Sequence, residues 1–443
     1  MTDNKGRPHG KLKRLGLGLA AAAALFGLFR VGAAAWGESR LRAYREATEA
    51  EWNAARARIH ERSGPAGEGA ARDGCVASYA RTTNPELGIY NMLVKQALDA
   101  GPGAPLPPKL VPELERRRPE LDAFRQAARC SHYELADDVA WVDYTPVHPI
   151  LFTSRLVVIE GHGLAAKGDV RGALDRYLSV AKVGEDMAAG PMIAGIIGSD
   201  AARHAYVGIA ALTAGAPRLA EAELAAVDRE LAERGRRLPL LAEALHKERL
   251  QLRKEAMSPR IQGALPDHVS SPALSPGVVA LTVLFPTEAV FGHVVPMMDA
   301  RLRRAEQIAR DAERAPSAAA RFQEVATDAL VTEATWLGGI LDPEQLQRLA
   351  RRDCALRASY HLARAAIAAE RAHADGRYPE ALPSLAQDPC GTGPLVYSRS
   401  PDGTGYTLSS VGENGQADGP REGGGATGES DDLVITRRGS YAM

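Results

Sequence analysis

A mainly α-helical protein is the expectation, and three observations carry it. Alanine, leucine, arginine and glutamate dominate while aromatics make up only 5%, a balance that favours helix over sheet. Apolar residues recur at three- and four-residue steps through most of the chain. Glycine and proline clusters cut these stretches into helix-sized lengths. With 443 residues and 45% apolar content, the chain can bury a substantial core and is expected to make two or three folding units. Its 54 basic and 55 acidic side chains leave a net charge of -1. No overall field attracts phosphate backbones, and nucleic acid is excluded as a partner.

At the N-terminus, Lys5, Arg7, Lys11, Lys13 and Arg14 precede an apolar run from Leu15 to Phe29, followed by Arg30 and then Val31 to Trp36. Basic residues leading into an apolar run form an export signal. Counted from Leu15 to Trp36, the run is long enough for the hydrocarbon core of a bilayer, with Arg30 able to snorkel outward. Counted only to Phe29, it is a signal-peptide core, and Ala33-Ala34-Ala35 is the cleavage site. The charged helical stretch Glu38 to Glu61 follows at once and favours the uncleaved anchor. Either way the body lies outside the cytoplasm, and the excess of basic residues ahead of the span points the same way. The expected location is the bacterial inner membrane, single-pass, with the body in the periplasm. The expected organisation is a cytoplasmic basic tail at 1–14, a transmembrane anchor at 15–36, and a stalk and linker at 37–74. An extracytoplasmic α-helical domain at 75–350, a small α+β module at 351–437 and a disordered tail at 438–443 complete it.

Cys75, Cys130, Cys354 and Cys390 suit an oxidising compartment, and no two lie at CxxC spacing. Pairing by neighbourhood joins Cys75 to Cys130 and Cys354 to Cys390, although four cysteines allow three connectivities. Four buried free thiols are the alternative.

After a break at Gly64-Pro65-Ala66-Gly67-Glu68-Gly69, a helix is expected to open at Asn84-Pro85-Glu86 and stop near Gly101. Pro119 to Cys130 starts another, with Leu121, Phe124 and Ala128 on one face. Val139 to Pro149 reads as an irregular crossover. Leu156 to Ala166 and Val170 to Met187 form a helical hairpin about Gly168-Asp169. Leu224, Val227, Leu231, Leu238, Leu241 and Leu245 mark an amphipathic helix broken near Gly235 or Pro239. Ser258 to Pro276 is loop-like. The apolar stretch Val278 to Met298 holds Pro286, Glu288 and Pro296 and is expected to be buried core or an inter-helix surface instead of a second span. Arg301 to Trp336 and Pro343 to Ala374 complete the helices, with Leu356, Tyr360, Ala363 and Ile367 facing a core.

Signals for chemistry are few. There is no HExxH, no GxSxG, no GxGxxG after a strand and no phosphate-binding loop. His132, Asp137, Asp138, His148 and His162 could converge as a metal or acid–base cluster, which would make the chain a metal-dependent hydrolase. A solvated polar patch is the alternative, and Gly161-His162-Gly163 reads as a close helix contact with a partly exposed imidazole. Between Leu408 and Asp432 the chain offers Ser410, Glu413, Asn414, Asp418, Glu429, Asp431 and Asp432 among glycines. Calcium takes six to eight oxygens from such groups. A Gly-rich turn without an ion is the other reading.

Two resemblances add to this. Gly161, Leu164, Gly168, Ala173 and Tyr177 fall at tetratricopeptide-repeat offsets, so one hairpin near 154–187 resembles a single such unit. The order Asp375-Gly376-Arg377-Tyr378-Pro379, Asp388-Pro389-Cys390-Gly391, Tyr406 to Gly415 and Asp431-Asp432-Leu433-Val434-Ile435 resembles the C-terminal half of the major pseudopilin of bacterial type II secretion. That resemblance implies a calcium-holding α+β module, with ligand roles at Asp418, Asp431 and Asp432 and weaker ones at Ser410 or the Leu408 carbonyl. The family's DPWG is DPCG here, its LGADG is VGENG, and its D-x-D close is Ser430-Asp431-Asp432. Leu15 to Phe29 contains no acidic residue, so prepilin processing and filament assembly are not expected. Taken together, the expectation is a non-enzymatic, membrane-anchored envelope protein whose helical domain binds another protein and whose pseudopilin-like tail is a structural cap or a docking point for secretion machinery.

Overall fold

A computed structural model describes residues 9–63, 90–129, 147–236 apart from 189, 191 and 216–218, 238, 241–256, 285–315, 319, 321–323, 325, 343–411 and 433–437. For 9–20, 55–63 and a few residues at other helix ends, it describes the backbone alone. The chain is mainly helical with one small sheet. The helices are α1 His9–Ser63, α2 Tyr90–Ala100, α3 Leu110–Arg116, α4 Arg118–Ala128, α5 Val147–Ala166, α6 Val170–Ala188, α7 Met192–Gly215, α8 Glu221–Gly235, α9 Leu241–Ala256, α10 Thr287–Arg314 and α11 Pro343–Ala372. The strands are β1 Val396–Arg399, β2 Tyr406–Ser410 and β3 Leu433–Arg437, paired antiparallel in the order β1-β2-β3. Contacts divide the chain into two compact units. One comprises Met1–Asn53, Arg249–Leu302 and Ala326–Leu341, the other Ala54–Glu248, Arg303–Val325 and Asp342–Met443.

In the larger unit, α5 and α6 form the expected hairpin. Gly168 takes a left-handed φ of 80° at its turn, and the Asp169 carboxylate accepts the Gly172 amide at 2.9 Å to open α6. The hairpin owes its closeness to glycine. A Cβ at Gly161 would lie 2.5 Å from the Tyr177 ring, and one at Gly208 would lie 3.1 Å from it. The fully buried Tyr177 thus fills a groove shared by α5, α6 and α7. Gly184 and Gly198 bring α6 and α7 backbone to backbone, since a Cβ on Gly184 would meet the Ala202 amide nitrogen at 2.6 Å. Beneath the hairpin, α4 buries Leu121, Phe124 and Ala127, and the expected Ala128 is partly buried against the same core. The crossover expected through Pro149 ends earlier, because α5 begins at Val147. A proline in the first turn forfeits no needed hydrogen bond.

The break between α8 and α9 falls where expected, and Leu224, Val227, Leu231 and Leu245 are buried. Gly235 leaves room for Tyr360 of α11, whose hydroxyl donates to the Leu231 carbonyl at 2.9 Å. Leu356, Tyr360, Ala363 and Ile367 all face the core. The sheet does not fold apart from the helices. Tyr378, Leu395, Tyr406, Leu408 and Ile435 belong to the same hydrophobic cluster as Tyr177 and Tyr206, so the described residues between 351 and 437 share one core with the helices before them.

In the smaller unit, the expected helix from Arg301 begins instead at Thr287 and runs through Pro296. Leu41, Phe291 and Val295 make its core, so this part of the Val278–Met298 stretch is an inter-helix surface. Among the described residues, no helix is long and apolar enough to cross a membrane. The first residues of the expected anchor, 15–20, lie outside the described side chains.

Candidate functional site

The C-terminal motifs meet at one buried carboxylate. Asp388, the first residue of DPCG, accepts the Cys390 amide and the Ser410 hydroxyl on Oδ1, each at 2.9 Å. Its Oδ2 accepts the Val411 amide at 2.9 Å. Cys390 is joined by a disulfide to Cys354 of α11. The bond is packed by Ala358, Val411 and Leu433. Ser410 pairs with Leu433 in the β2–β3 ladder, so the connection 412–432 leaves and rejoins the sheet at this neck. The Ser410 hydroxyl, a candidate metal ligand from the sequence, is buried and gives its proton to Asp388. Asp418, Asp431 and Asp432 lie outside the described residues, as do Cys75 and Cys130. The described residues therefore supply the two ends of the 412–432 connection, with a hydroxyl and a carboxylate that accepts three hydrogen bonds. Among them no group of three potential ligands could hold a metal ion.

The histidine cluster is represented only by His162. His132, Asp137 and Asp138 lie outside the described residues, as does the His148 side chain. The imidazole expected to be partly exposed is buried, at 3%, because the glycines on either side admit Tyr177 and Leu106 against it. Its Nδ1 lies 2.6 Å from the Tyr177 hydroxyl. Burial, and the nearby His204, push the His162 pKa down to about 4, and burial pushes the Tyr177 hydroxyl up. At neutral pH the pair is an uncharged hydrogen bond in a helix seam.

No protein family, curated protein or solved structure matches this chain.

Among the described residues, buried charged groups also tie helices together. Glu185 of α6 accepts from the Tyr206 hydroxyl of α7 and from Arg234 of α8 at 3.2 Å. Burial raises the Glu185 carboxyl, with Arg234 opposing that shift, and burial raises Tyr206 as well. Glu160 of α5 ties Arg118 of α4 and Arg176 of α6, at 2.7 and 2.9 Å. Asp200 of α7 accepts from Arg155 at 2.9 Å and Arg203 at 3.2 Å. Burial raises the Asp200 carboxyl, but the positive field of His204, Arg203 and Arg155 outweighs it and leaves the pKa at about 2. Glu370 of α11 accepts from Tyr378 at 2.8 Å, and Arg437 of β3 donates to the Ala214 carbonyl of α7 at 2.7 Å. Burial, reinforced by Glu370, lifts Tyr378 to about 12. In the smaller unit, Asp299 and Glu51 receive Arg249 at 2.9 and 3.0 Å, and Arg253 bonds Glu51 at 3.1 Å. Sequence reading missed the pairs that join remote residues, such as Glu185 with Arg234, Arg118 with Glu160 and Glu51 with Arg249, because nothing local connects them. The one local signal was a charged residue on an otherwise apolar helix face, at Glu160 and Glu185.

Proposed function

We propose that this chain is a membrane-tethered, extracytoplasmic helical scaffold that binds another protein and ends in a pseudopilin-like module. The observation that carries the reading is on α1. Leu25, Phe26, Leu28, Phe29 and Val31 are all exposed, at 43 to 70%. These five apolar side chains within seven positions leave open only the side that carries Gly27 and Arg30, and so broad an exposed apolar surface belongs in a core or in lipid. The helix continues into the charged stretch from Glu38 without interruption. The Cys354–Cys390 disulfide supports an oxidising compartment. Buried ion pairs that tie helix to helix suit a body whose role is to hold shape.

The pseudopilin reading is supported by the order of parts. A long helix is followed by the Asp375-Gly376 turn, both residues at positive φ, then the DPCG turn and a three-stranded antiparallel sheet. Calcium held by Asp418, Asp431 and Asp432, with Ser410 at its edge, would close the 412–432 connection at the neck where Asp388 sits.

Two experiments test this. Membranes from expressing cells are washed with alkaline carbonate, and spheroplasts are treated with external protease. Retention of the chain, with its body digested, is the expected result; a chain released by carbonate or protected from protease sinks the tether. For the calcium site, chelation should lower the melting temperature of the sheet, added calcium should restore it, and Asp431→Ala should abolish the response. An unchanged melting curve removes calcium from the proposal.

A further inference from the structure

We propose that the chain touches the bilayer at a second place, the start of α10, where Phe285 rests on Phe29. The inference rests on the reading of α1 as the anchor and adds to it a lipid contact from a distant part of the sequence. The two rings meet edge to face, with centroids 5.6 Å apart. Phe29 remains half exposed on its other sides. Further along, α1 and α10 cross where Gly37 meets Glu288 and Gly292. A Cβ on Gly37 would collide with the Glu288 carbonyl, and one on Gly292 would lie 2.9 Å from the Gly37 Cα. Leu41 then meets Phe291 and Val295. The contacts ascend together along both segments, so the helices run parallel, and Phe285 sits level with Phe29, about 12 Å before the crossing.

This register aligns the charge boundaries of the two segments. On α1 the first carboxylate is Glu38, beside Gly37; on the other segment it is Glu288, packed at Gly37. From Val269 to Thr287 the sequence carries no charged residue, so nothing in it opposes placing Phe285 below that level. Between Leu15 and Gly37 the one cation on α1, Arg30, folds over Phe26 at 6.0 Å, and Arg40 stacks on Trp36 at 5.2 Å. A tryptophan with an arginine at the edge of an apolar helix is the arrangement of a membrane–water interface. The partner is therefore the acyl region just inside the outer headgroups, and Phe285 shares it with Phe29. The close backbone approach at Gly37 and Gly292 fixes the two segments at that boundary and so sets the depth of Phe285 beside Phe29.

The test uses the full-length wild-type chain reconstituted in vesicles of phosphatidylcholine and phosphatidylglycerol that contain a phospholipid with a diazirine in its acyl chain. After illumination, lipid adducts are mapped by peptide mass spectrometry. Adducts are expected at Leu25 to Phe29 and also at Phe285, with none at Met92, which is exposed on the larger unit. Adducts on α1 with none at Phe285 overturn the second contact and leave the anchor standing. No adduct at either place, with the chain washed from the vesicles by carbonate, overturns the anchor as well. In Phe285→Asp the carbonate-resistant retention through α1 should persist while labelling at 285 is lost; undiminished labelling at 285 in that variant would count against an acyl-chain contact.

Discussion

Removing the Cys354–Cys390 bond should loosen the C-terminal sheet without dismantling it. The perturbation is the double variant Cys354→Ala with Cys390→Ala, chosen because both sites are buried and an alanine leaves no unbonded hydroxyl among Ala358, Val411 and Leu433. The bond closes a sequence separation of 36 residues. In the chain-entropy view, opening a loop of that length returns roughly 4 kcal/mol of freedom to the unfolded segment. The native geometry is held in parallel by the three bonds to Asp388, so the folded arrangement should persist. A loss of that size multiplies the open population by roughly three powers of ten. The assay is native-state hydrogen exchange at the β2 amides and at Val411, whose N–H is bonded to Asp388. Local exchange suits a chain of two compact units, for which a single melting temperature is poorly defined. Exchange of β2 within a few-fold of wild type would refute the reasoning, because it would mean the sheet never opens separately from the helices.

Three further outcomes follow from the larger unit. Gly161→Ala places a methyl against the Tyr177 ring, which Gly208 confines from the other side, and should destabilise by about 1–3 kcal/mol despite alanine's better helix propensity; urea denaturation measures it, and a stabilised variant would mean the ring can move. His162 binds its proton only near pH 4 when folded but near about 6.5 when unfolded, so the unfolded state holds the extra proton between those values. Stability should rise with pH across that window, be complete above it, and lose that slope in His162→Phe, as read from unfolding free energies at several pH values. His204 and His361 are also depressed and add a slope of the same sign, which is why the variant difference is the diagnostic. Arg234→Ala leaves Glu185 buried against Tyr206 alone and should cost about 3–5 kcal/mol near neutrality. That loss should shrink in mild acid, where the raised carboxyl takes up a proton; a loss independent of pH would show that packing, and not charge, is what Arg234 contributes.

What was legible in the sequence is what depends on neighbours along the chain. The four α11 positions spaced to face a core do so, the α8–α9 break falls beside Gly235, and Tyr177 occupies the groove its offsets indicate. What depends on which faces meet was not. Glu185 and Arg234 stand 49 residues apart, and no period connects them. His162 looked exposed between glycines because the same small residues that leave a side chain bare in one setting let a neighbouring ring close over it in another. Val278 to Met298 was legible as core or an inter-helix surface but not as helix, and α10 runs through Pro296 with Phe291 and Val295 packed on Leu41. DPCG was legible as a motif, but its aspartate emerged as the hub of the neck only once Ser410 and Val411 were brought beside it. The acidic residues carrying the ligand proposal, Asp418, Asp431 and Asp432, lie outside the described residues.

The shared core has a consequence for how the molecule is made. Tyr360 reaches the Leu231 carbonyl across 129 residues, and Arg437 reaches Ala214 across 223. The wall that covers α7 is therefore synthesised long after it, and contacts this remote must wait for α11 and the sheet before they return any of the entropy spent in closing them. Until α11 and the sheet emerge, the nascent helices have nowhere to bury one face. If the chain is threaded outward through a membrane, as proposed, such a delay keeps the helices in a threadable state until α11 and the sheet have followed them.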